Sequence, residues 1–192
     1  GANLRDKIRS EREARQCLMR YHSPQIVEEI IKGRGICEVN ERMITVLFVD
    51  IKNFTRLSEE LGPMSTATLL NEYFDIIIDE VFRYKGSIDK FIGDAAMAIF
   101  GGPLHTADYT EMSVRAAIEI QKRIQKLNKY AIRIGINTGT AVIGNIGSSK
   151  RMEYTAIGDT VNIASRLEKM AGAGKIYVGE TTYAQIKDIF HT

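Results

Sequence analysis

The alternation of apolar, strand-like segments with long amphipathic segments from Ile44 onward is the feature that most constrains the fold of this chain. The segment "ITVLFVDI" is an almost unbroken apolar run, which predicts a buried strand. The segment "STATLLNEYFDIIIDEVFRYKG" predicts a long helix that ends at Gly86, and "TEMSVRAAIEIQKRIQKL" predicts a second one. A shorter helix is predicted over "DTVNIASRLEKMA". Strands interspersed with helices in this way predict a mixed α+β domain.

Pairs of strands separate these helices. The segment "SIDKFIGDAAMAIFG" contains two apolar runs that meet at Gly93-Asp94, which predicts a tight hairpin. The segment "YAIRIGINTGTAVIGNIG" predicts a second hairpin that turns near Thr138-Gly139. Short strands are predicted in "EYTAIG" and "KIYVG". The order β-α-β-β-α-β-β-α predicts a palm-like, ferredoxin-like sheet that is rich in antiparallel pairs and has its helices packed on one side.

Residues 1–43 differ in character from the rest of the chain. The segment "LRDKIRSEREARQCLMR" is rich in charge and has few apolar residues, which predicts an exposed helix. A heptad pattern would place Glu11 and Arg15 on one seam, so a linker helix is favoured over an autonomous coiled coil. Ser23-Pro24 predicts the start of a short docking helix. We expect a helical linker over residues 1–43 that carries a signal from an upstream regulatory domain, and a principal domain over residues 44–192.

Composition limits the class of protein, the partners and the cellular location expected for this domain. The chain has 192 residues, of which 44% are hydrophobic and 26% charged, as expected for one globular domain with a real core. Its net charge is +2 and the charges are interspersed, so nucleic acid is not the expected partner. The two cysteines have no metal-ligand spacing with each other or with the three histidines. No apolar run is long enough to cross a bilayer, so we expect a cytoplasmic domain, which could belong to a larger, membrane-attached protein.

Two aspartates end apolar segments and suggest a metal site. Asp50 ends a predicted central strand, and Asp94 lies at the tip of the hairpin that is expected to pair beside it. Two carboxylates at one edge of a sheet suit Mg²⁺ or Mn²⁺, particularly when a phosphate completes the coordination. The alternative is that each aspartate only satisfies its own turn. The segment "IKNFT" favours the first interpretation, because backbone N–H groups after the strand could hold a polyphosphate.

Four segments of the chain form an ordered set: "FVDIKNFT", "DKFIGDAAMAIFG", "RIGINTGTAVIGNIG" and "YTAIGDTVNIASRLE". In order and spacing they resemble the signature blocks of the class III nucleotidyl cyclases, the adenylyl and guanylyl cyclases. The resemblance covers roughly residues 44–179, and "RYHSPQIVEEII" is similar to the segment that often precedes the catalytic domain in bacterial members. It implies a catalytic domain that converts a nucleoside triphosphate to its 3′,5′-cyclic monophosphate and pyrophosphate.

The resemblance also implies roles for individual residues. Asp50 and Asp94, with the Ile51 carbonyl, would hold two Mg²⁺ or Mn²⁺ ions that activate the ribose 3′-hydroxyl and neutralise the triphosphate. Asn162 and Arg166 lie one helical turn apart and would orient the ribose and stabilise transition-state charge. The backbone of Asn53, Phe54 and Thr55 would contact the phosphates.

Base selection is implied at Lys90 and Thr155. Adenine presents an acceptor at N1 and a donor at its 6-amino group, which match a lysine donor and a threonine hydroxyl that accepts. Guanylyl cyclases resemble one another in having Glu and Cys at these positions, so an adenylyl cyclase acting on ATP is favoured. A guanylyl cyclase, or a nucleotide-binding regulatory module without turnover, stays open as an alternative. For the residues themselves, the alternatives are an ordinary salt bridge of Lys90 to Asp89 or Asp94 and a Thr155 that is present for its β propensity.

The resemblance further implies a homodimer with two sites at the subunit interface, reached by the "GSSKRMEY" arm. The chain departs from the family pattern in three places. Asn53 stands where many members have glycine, and Thr155 replaces the aspartate of the mammalian adenylyl enzymes. The sequence also ends before the "KG" segment of the family, so we expect the C-terminal strands of the domain to be missing from it.

Overall fold

The computed structural model describes residues 8–9, 12, 19, 23–32, 39–102, 106–148 and 150–191. The helices in these ranges are α1 (Pro24–Ile31), α2 (Phe54–Leu61), α3 (Pro63–Arg83), α4 (Tyr109–Leu127), α5 (Asp159–Met170) and α6 (Glu180–Ile186). The strands are β1 (Asn40–Ile51), β2 (Ser87–Ile92), β3 (Ala95–Phe100), β4 (Ile132–Ser148), β5 (Arg151–Ile157) and β6 (Lys175–Val178). Most of the predicted linker helix, including Cys17, lies outside the described residues.

One sheet contains all of these strands. Its order is β2-β3-β1-β4-β5, with antiparallel pairing throughout, and β6 pairs with β4 in parallel. The hairpin predicted at Gly93-Asp94 is confirmed, because these two residues connect β2 to β3 and Gly93 has a φ of 64°. The predicted α+β class with an antiparallel-rich, palm-like sheet is confirmed.

The hairpin predicted near Thr138-Gly139 is wrong. These residues lie in the middle of β4 and pair with Thr45 and Ile44 of β1, and the chain turns only after Ser148. Glycine is required here for space rather than for a turn, because a Cβ on Gly139 would lie 2.5 Å from the Thr160 hydroxyl oxygen. The structure also starts β1 at Asn40, before the predicted boundary at residue 44.

Helices pack on both faces of the sheet, and the prediction of helices on one side is wrong. The first face buries Leu47, Val49 and Ile134 against apolar residues of α3, α4 and α6. The second face buries Val46 and Phe48, and α5 packs on it through Ala164. A strand with apolar residues on both faces must be covered on both, since alternate side chains point to opposite sides.

The N-terminal helix α1 docks at the start of β2. Val27 of α1 is fully buried, and the hydroxyl oxygens of Ser23 and Ser87 lie 3.0 Å apart. The docking helix predicted after Ser23-Pro24 is therefore present. Among the described residues, no helix is both long enough and apolar enough to span a membrane.

Candidate active site

Two aspartates meet where β1 ends and the β2–β3 hairpin turns. Asp50 is the penultimate residue of β1, and Asp94 occupies the turn. Because β3 pairs with β1, the tip of the hairpin lies next to the end of β1. The backbone N–H of Ile51 donates a hydrogen bond to Asp94 Oδ2 at 3.2 Å. The structure thus brings the three residues predicted to bind metal together.

The two carboxyl groups titrate differently. Burial, followed by the hydrogen bond and the charge of Asp50, raises the pKa of Asp94 to about 7. Burial also acts to raise the pKa of Asp50, but hydrogen bonds with Asp94 and Arg133 and the Arg133 charge lower it overall. Two carboxylates in contact repel each other when both are ionised. The contact between the two carboxyl groups therefore favours retention of a proton by the pair.

Arg133 and Glu168 extend this charged cluster, and the sequence patterns did not predict a role for either. Arg133 lies opposite Asp50 in the β1–β4 register, and its Nη2 is 2.6 Å from Asp50 Oδ2. Its Nε lies 2.5 Å from Oε1 of Glu168 on α5. Burial, followed by the charge of Asp50, raises the pKa of Glu168 to about 7. The sequence did contain an indication that Arg133 has a buried partner, because it is the one charged residue in the apolar run "AIRIGIN".

The aspartate pair fits a divalent cation. Asp50 and Asp94 offer hard oxygen ligands beside each other, and their mutual repulsion when both are ionised is one that such a cation would relieve. No group of three or more His, Cys, Asp or Glu side chains in the described ranges is arranged to hold a metal ion. Other oxygens, such as the Ile51 carbonyl and substrate phosphates, would be needed to complete the coordination.

The segment predicted to contact phosphates is the start of α2. Asn53 adopts a left-handed conformation, with φ 59° and ψ 35°, directly before this helix. Asparagine tolerates that region better than most residues, so it can stand where glycine is common. Phe54 is half-buried against the core, whereas Thr55 is exposed. No side chain caps the helix, so its first N–H groups are available to an anion beside Asp50.

Lys90 and Thr155 lie on opposite edge strands, β2 and β5, yet both contact Asp89. The Thr155 hydroxyl donates a hydrogen bond to Asp89 Oδ2 at 2.6 Å. Lys90 Nζ lies 3.5 Å from Asp89 Oδ1 and 3.2 Å from Glu153 Oε2. The sheet curls enough for its two edges to touch. The predicted base-selecting pair is therefore brought together through Asp89, and the ion pair of Lys90 with Asp89 is one that the sequence left open as an alternative role for this lysine.

Asn162 and Arg166 stand apart from both clusters. They lie one turn apart on α5, and both are exposed. Within the part of the chain that the structure describes, no hydrogen bond or ion pair joins either residue to Asp50 or Asp94. Their side chains are accessible to a second molecule.

Comparison with known proteins assigns the family. Residues 38–192 match the family model of the adenylate and guanylate cyclase catalytic domain. The chain belongs to this family. It is thus a class III nucleotidyl cyclase catalytic domain, and this family uses divalent metal ions, in agreement with the aspartate pair.

Curated relatives of this cyclase domain include two bacterial adenylate cyclases. Adenylate cyclase 1 of Rhizobium meliloti is 38% identical over 136 residues, which are 66% of this chain and 20% of the relative. The adenylate cyclase of Anabaena cylindrica is 35% identical over 159 residues, which are 76% of this chain and 30% of the relative. The cyclase domain therefore spans less than a third of the length of either relative.

Solved structures of both nucleotide classes resemble this cyclase domain. The adenylyl cyclase CyaB from P. aeruginosa has a TM-score of 0.78 and 38% identity, with 80% of this chain and 85% of that chain covered. The guanylyl cyclase Cya2 has a TM-score of 0.74 and 34% identity, with 80% and 82% covered. A rhodopsin-guanylyl cyclase core with converted specificity, in complex with ATPalphaS, has a TM-score of 0.76 and 32% identity, with 80% and 86% covered.

Proposed function

We propose that this domain is an adenylate cyclase, which converts ATP to 3′,5′-cyclic AMP and pyrophosphate. The observation that carries the choice of ATP is the cluster of Lys90 and Thr155 around Asp89. The Lys90 ammonium can only donate, which suits adenine N1 and does not suit the N1–H of guanine. The Thr155 hydroxyl can accept from the 6-amino group of adenine.

The reaction is an intramolecular displacement at phosphorus. The ribose 3′-oxygen forms a bond to the α-phosphorus and loses its proton, while the bond from the α-phosphorus to the bridging oxygen breaks and pyrophosphate leaves. Asp50, Asp94 and the Ile51 carbonyl would hold Mg²⁺ or Mn²⁺, two ions per site. When bound, these ions supply charge that acidifies the 3′-hydroxyl and neutralises the leaving pyrophosphate.

Arg133 and the start of α2 would hold the triphosphate. The Arg133 guanidinium is partly buried and lies 2.6 Å from the carboxylate of Asp50, so a fixed positive charge is already present beside the aspartate pair. A guanidinium binds phosphate oxygens through two parallel hydrogen bonds. The N–H groups that follow Asn53, at Phe54 and Thr55, add a second anion-binding element.

Asn162 and Arg166 would act from a second subunit. Both are exposed, and among the described residues neither forms a hydrogen bond or ion pair with the aspartates of its own chain. A homodimer with two sites at the interface would bring them to Asp50 of the other subunit. One related solved structure, with 32% identity, is a non-canonical dimeric guanylyl cyclase domain from Blastocladiella emersonii. In this arrangement Asn162 orients the ribose, and Arg166 stabilises charge on the phosphorus-bound oxygens.

The full-length protein would place this domain under regulation. Because the domain covers 20% and 30% of two curated adenylate cyclases, we propose that an upstream domain regulates it through residues 1–43. We place the catalytic domain in the cytoplasm, where ATP is abundant, and this placement holds whether or not the full-length protein is attached to a membrane.

The direct test is to incubate the purified protein with Mn²⁺ and either ATP or GTP, and to identify the cyclic product by chromatography. We expect cyclic AMP from ATP and at most a minor yield of cyclic GMP. A higher kcat/KM with GTP would assign a guanylyl cyclase. Tight binding of ATP without any cyclic product would assign a regulatory module.

The base contacts can be tested by exchanging them. We expect the double variant Lys90→Glu with Thr155→Cys to use ATP less well and GTP better, because each mispaired polar contact costs about 1–3 kcal/mol. The measurement is the ratio of kcat/KM for the two nucleotides. Lys187→Glu, an exposed charge reversal after α6, is the control. An unchanged ratio in the double variant would show that the base is read elsewhere.

A further inference from the structure

The Thr155 hydroxyl donates a hydrogen bond to a carboxylate inside the protein. Its oxygen lies 2.6 Å from Asp89 Oδ2, a short distance that is typical of a hydroxyl donating to a carboxylate. Thr155 is 8% exposed, and the Asp89 side chain is 0% exposed, so solvent does not compete for this hydrogen bond. A hydroxyl has a single hydrogen, and here that hydrogen points to Asp89.

The surroundings of Asp89 keep its carboxylate in place. The Lys90 ammonium lies 3.5 Å from Asp89 Oδ1, the oxygen that does not bond to Thr155, and forms an ion pair with it. Burial raises the pKa of Asp89, while the hydrogen bond from Thr155 and the Lys90 charge oppose that rise. An ionised carboxylate is an acceptor only, so it cannot reverse the direction of the hydrogen bond with Thr155.

The direction of this hydrogen bond matters because a threonine hydroxyl by itself does not discriminate between purines. A free hydroxyl can accept from the 6-amino group of adenine, and it can equally donate to the 6-oxo group of guanine. Once its hydrogen is held by Asp89, only lone pairs face a nucleotide. The hydroxyl then matches adenine and leaves the guanine O6 without a donor.

We propose that Asp89 is a positioning residue that sets the preference for ATP over GTP by fixing the Thr155 hydroxyl as an acceptor. This inference rests on the proposed function, in which Lys90 and Thr155 contact the base. It assigns purine discrimination to a buried side chain that does not itself touch the nucleotide. Asp89 therefore acts on the substrate through Thr155, and its effect requires the Thr155 hydroxyl.

The test is the substitution Asp89→Asn, which keeps the shape and removes the obligate acceptor. The asparagine amide can donate to Thr155, so the threonine hydrogen becomes free to face the nucleotide. We expect the ATP to GTP ratio of kcat/KM to fall by about tenfold. The change should appear mainly in KM, because the base is remote from the reacting phosphorus.

A second substrate isolates the 6-position of the purine. Purine riboside 5′-triphosphate lacks the 6-amino group but retains N1, so it loses only the contact assigned to Thr155. We expect the wild-type protein and Asp89→Asn both to prefer ATP over this analogue by about tenfold, because the freed hydroxyl can still accept from the 6-amino group, so that only the ATP to GTP ratio changes. Asp75→Asn, at an exposed position on α3, is the matched control and should leave both ratios unchanged.

A double-mutant cycle separates positioning from a purely structural role. In Thr155→Val the hydroxyl is absent, so adding Asp89→Asn should change neither nucleotide ratio further. A structural role for Asp89 would instead lower activity with every nucleotide to the same extent in both backgrounds. Thermal unfolding verifies that each variant is folded. Asp89→Ala, which removes the acceptor entirely, replaces Asp89→Asn if the latter is unfolded.

The outcomes distinguish this inference from the proposed function. A wild-type protein that prefers GTP overturns the proposed function and the role of Asp89 together. A wild-type protein that prefers ATP, with the same ATP to GTP ratio in Asp89→Asn, overturns the role of Asp89 alone. A lowered ratio in Asp89→Asn that disappears in the Thr155→Val background supports the inference.

Discussion

At the scale of single residues, the candidate site is a cluster in which carboxyl groups outnumber positively charged side chains. Asp50, Arg133 and Glu168 lie together on the sheet face that α5 covers, and Asp94 adjoins them at the hairpin tip. Buried charges are costly unless they are paired or coordinate a metal. The cluster contains three carboxyl groups and a single guanidinium, so it lacks positive charge. A cationic ligand would therefore stabilise this arrangement of side chains.

Removing either member of the aspartate pair should abolish turnover. We expect Asp50→Asn and Asp94→Asn each to lower kcat by more than about a hundredfold with Mg²⁺, because each variant loses a metal ligand. The fold should be retained, since in Asp94→Asn the side-chain amide oxygen can still accept from the Ile51 N–H. Rates of cyclic AMP formation and far-ultraviolet circular dichroism provide the two measurements.

The exposed Asp75 of α3 supplies the control for charge alone. Asp75→Asn removes one negative charge without touching the site and should keep the wild-type rate. Near-normal turnover with Mg²⁺ in Asp50→Asn or Asp94→Asn would refute the assignment of these residues as metal ligands.

Asp89 should also affect stability in a pH-dependent manner. Burial raises its pKa above the ordinary value of 3.8, so the folded state keeps the proton to a higher pH than the unfolded chain does. The stability from this proton is fully present below pH 3.8 and is lost as pH rises through the folded-state pKa. The Asp89→Asn variant has no ionisable group at this position, so it does not lose this stability as pH rises. The Tm of the variant minus the Tm of the wild type should therefore be larger at pH 7 than at pH 3.5, by on the order of a few degrees. A Tm difference that is independent of pH would contradict this.

At the scale of elements, β4 is the strand that organises the site. Its first half pairs with β1 and places Arg133 opposite Asp50, and its second half pairs with β5, which carries Thr155. The helix α5 crosses this strand at Gly135, where an added Cβ would collide with the backbone of Ala164 and Glu168. The glycine allows the helix to approach closely enough for Glu168 to reach Arg133.

A methyl group at this crossing should therefore destabilise the domain. We expect Gly135→Ala to lower the free energy of unfolding by about 1–3 kcal/mol, because backbone atoms of α5 cannot move aside as a flexible side chain can. Urea denaturation measures the change. Gly172→Ala is the matched control, since its Cβ would meet only Lys175 Cγ at an ordinary 3.5 Å. Equal stabilities of the two variants would show that α5 does not pack tightly at Gly135.

At the scale of the whole molecule, one chain presents two incomplete sets of residues. The aspartate pair lies at one end of β1, while Asn162 and Arg166 are exposed on α5. A symmetric dimer would join each set to the complementary set of its partner and form two equivalent sites. Exposed apolar side chains, such as Phe91 and Ile92 beside the hairpin tip, are consistent with a surface that another subunit covers.

Mixing two inactive variants tests this arrangement. Asp50→Ala and Arg166→Ala homodimers should each be nearly inactive, because every site carries one lesion. In a mixed dimer one site carries both lesions and the other carries none. With random exchange half of the dimers are mixed, so activity should recover to about a quarter of the wild-type value.

Subunit exchange itself must be verified by native mass spectrometry or with differently tagged chains. A mixture that has exchanged subunits and still remains inactive would rule out the shared site. In that case a site within one chain would have to be sought.

The local pattern of the sequence determined most of the element types but not all of their ends, since β1 begins at Asn40 and β4 continues through Gly139. The Gly93-Asp94 hairpin could be predicted because a turn between two apolar runs is a local property. Asp50 could be predicted as a site residue because it terminates a buried strand. The resemblance to a family identified four more site residues: Lys90, Thr155, Asn162 and Arg166. The continuity of β4 was missed, since a glycine that admits a neighbouring helix has the same local signature as a turn glycine.

Only the tertiary structure decided which of these residues meet. Asp89 and Thr155 are 66 residues apart and lie on opposite edges of the sheet, so their hydrogen bond depends on the curl of the whole sheet. The ion pair of Arg133 with Asp50 depends on the β1–β4 register, and the pair with Glu168 on the close packing of α5. Such contacts between distant segments leave no periodic pattern in the sequence, because each partner is fixed by packing rather than by its chain neighbours.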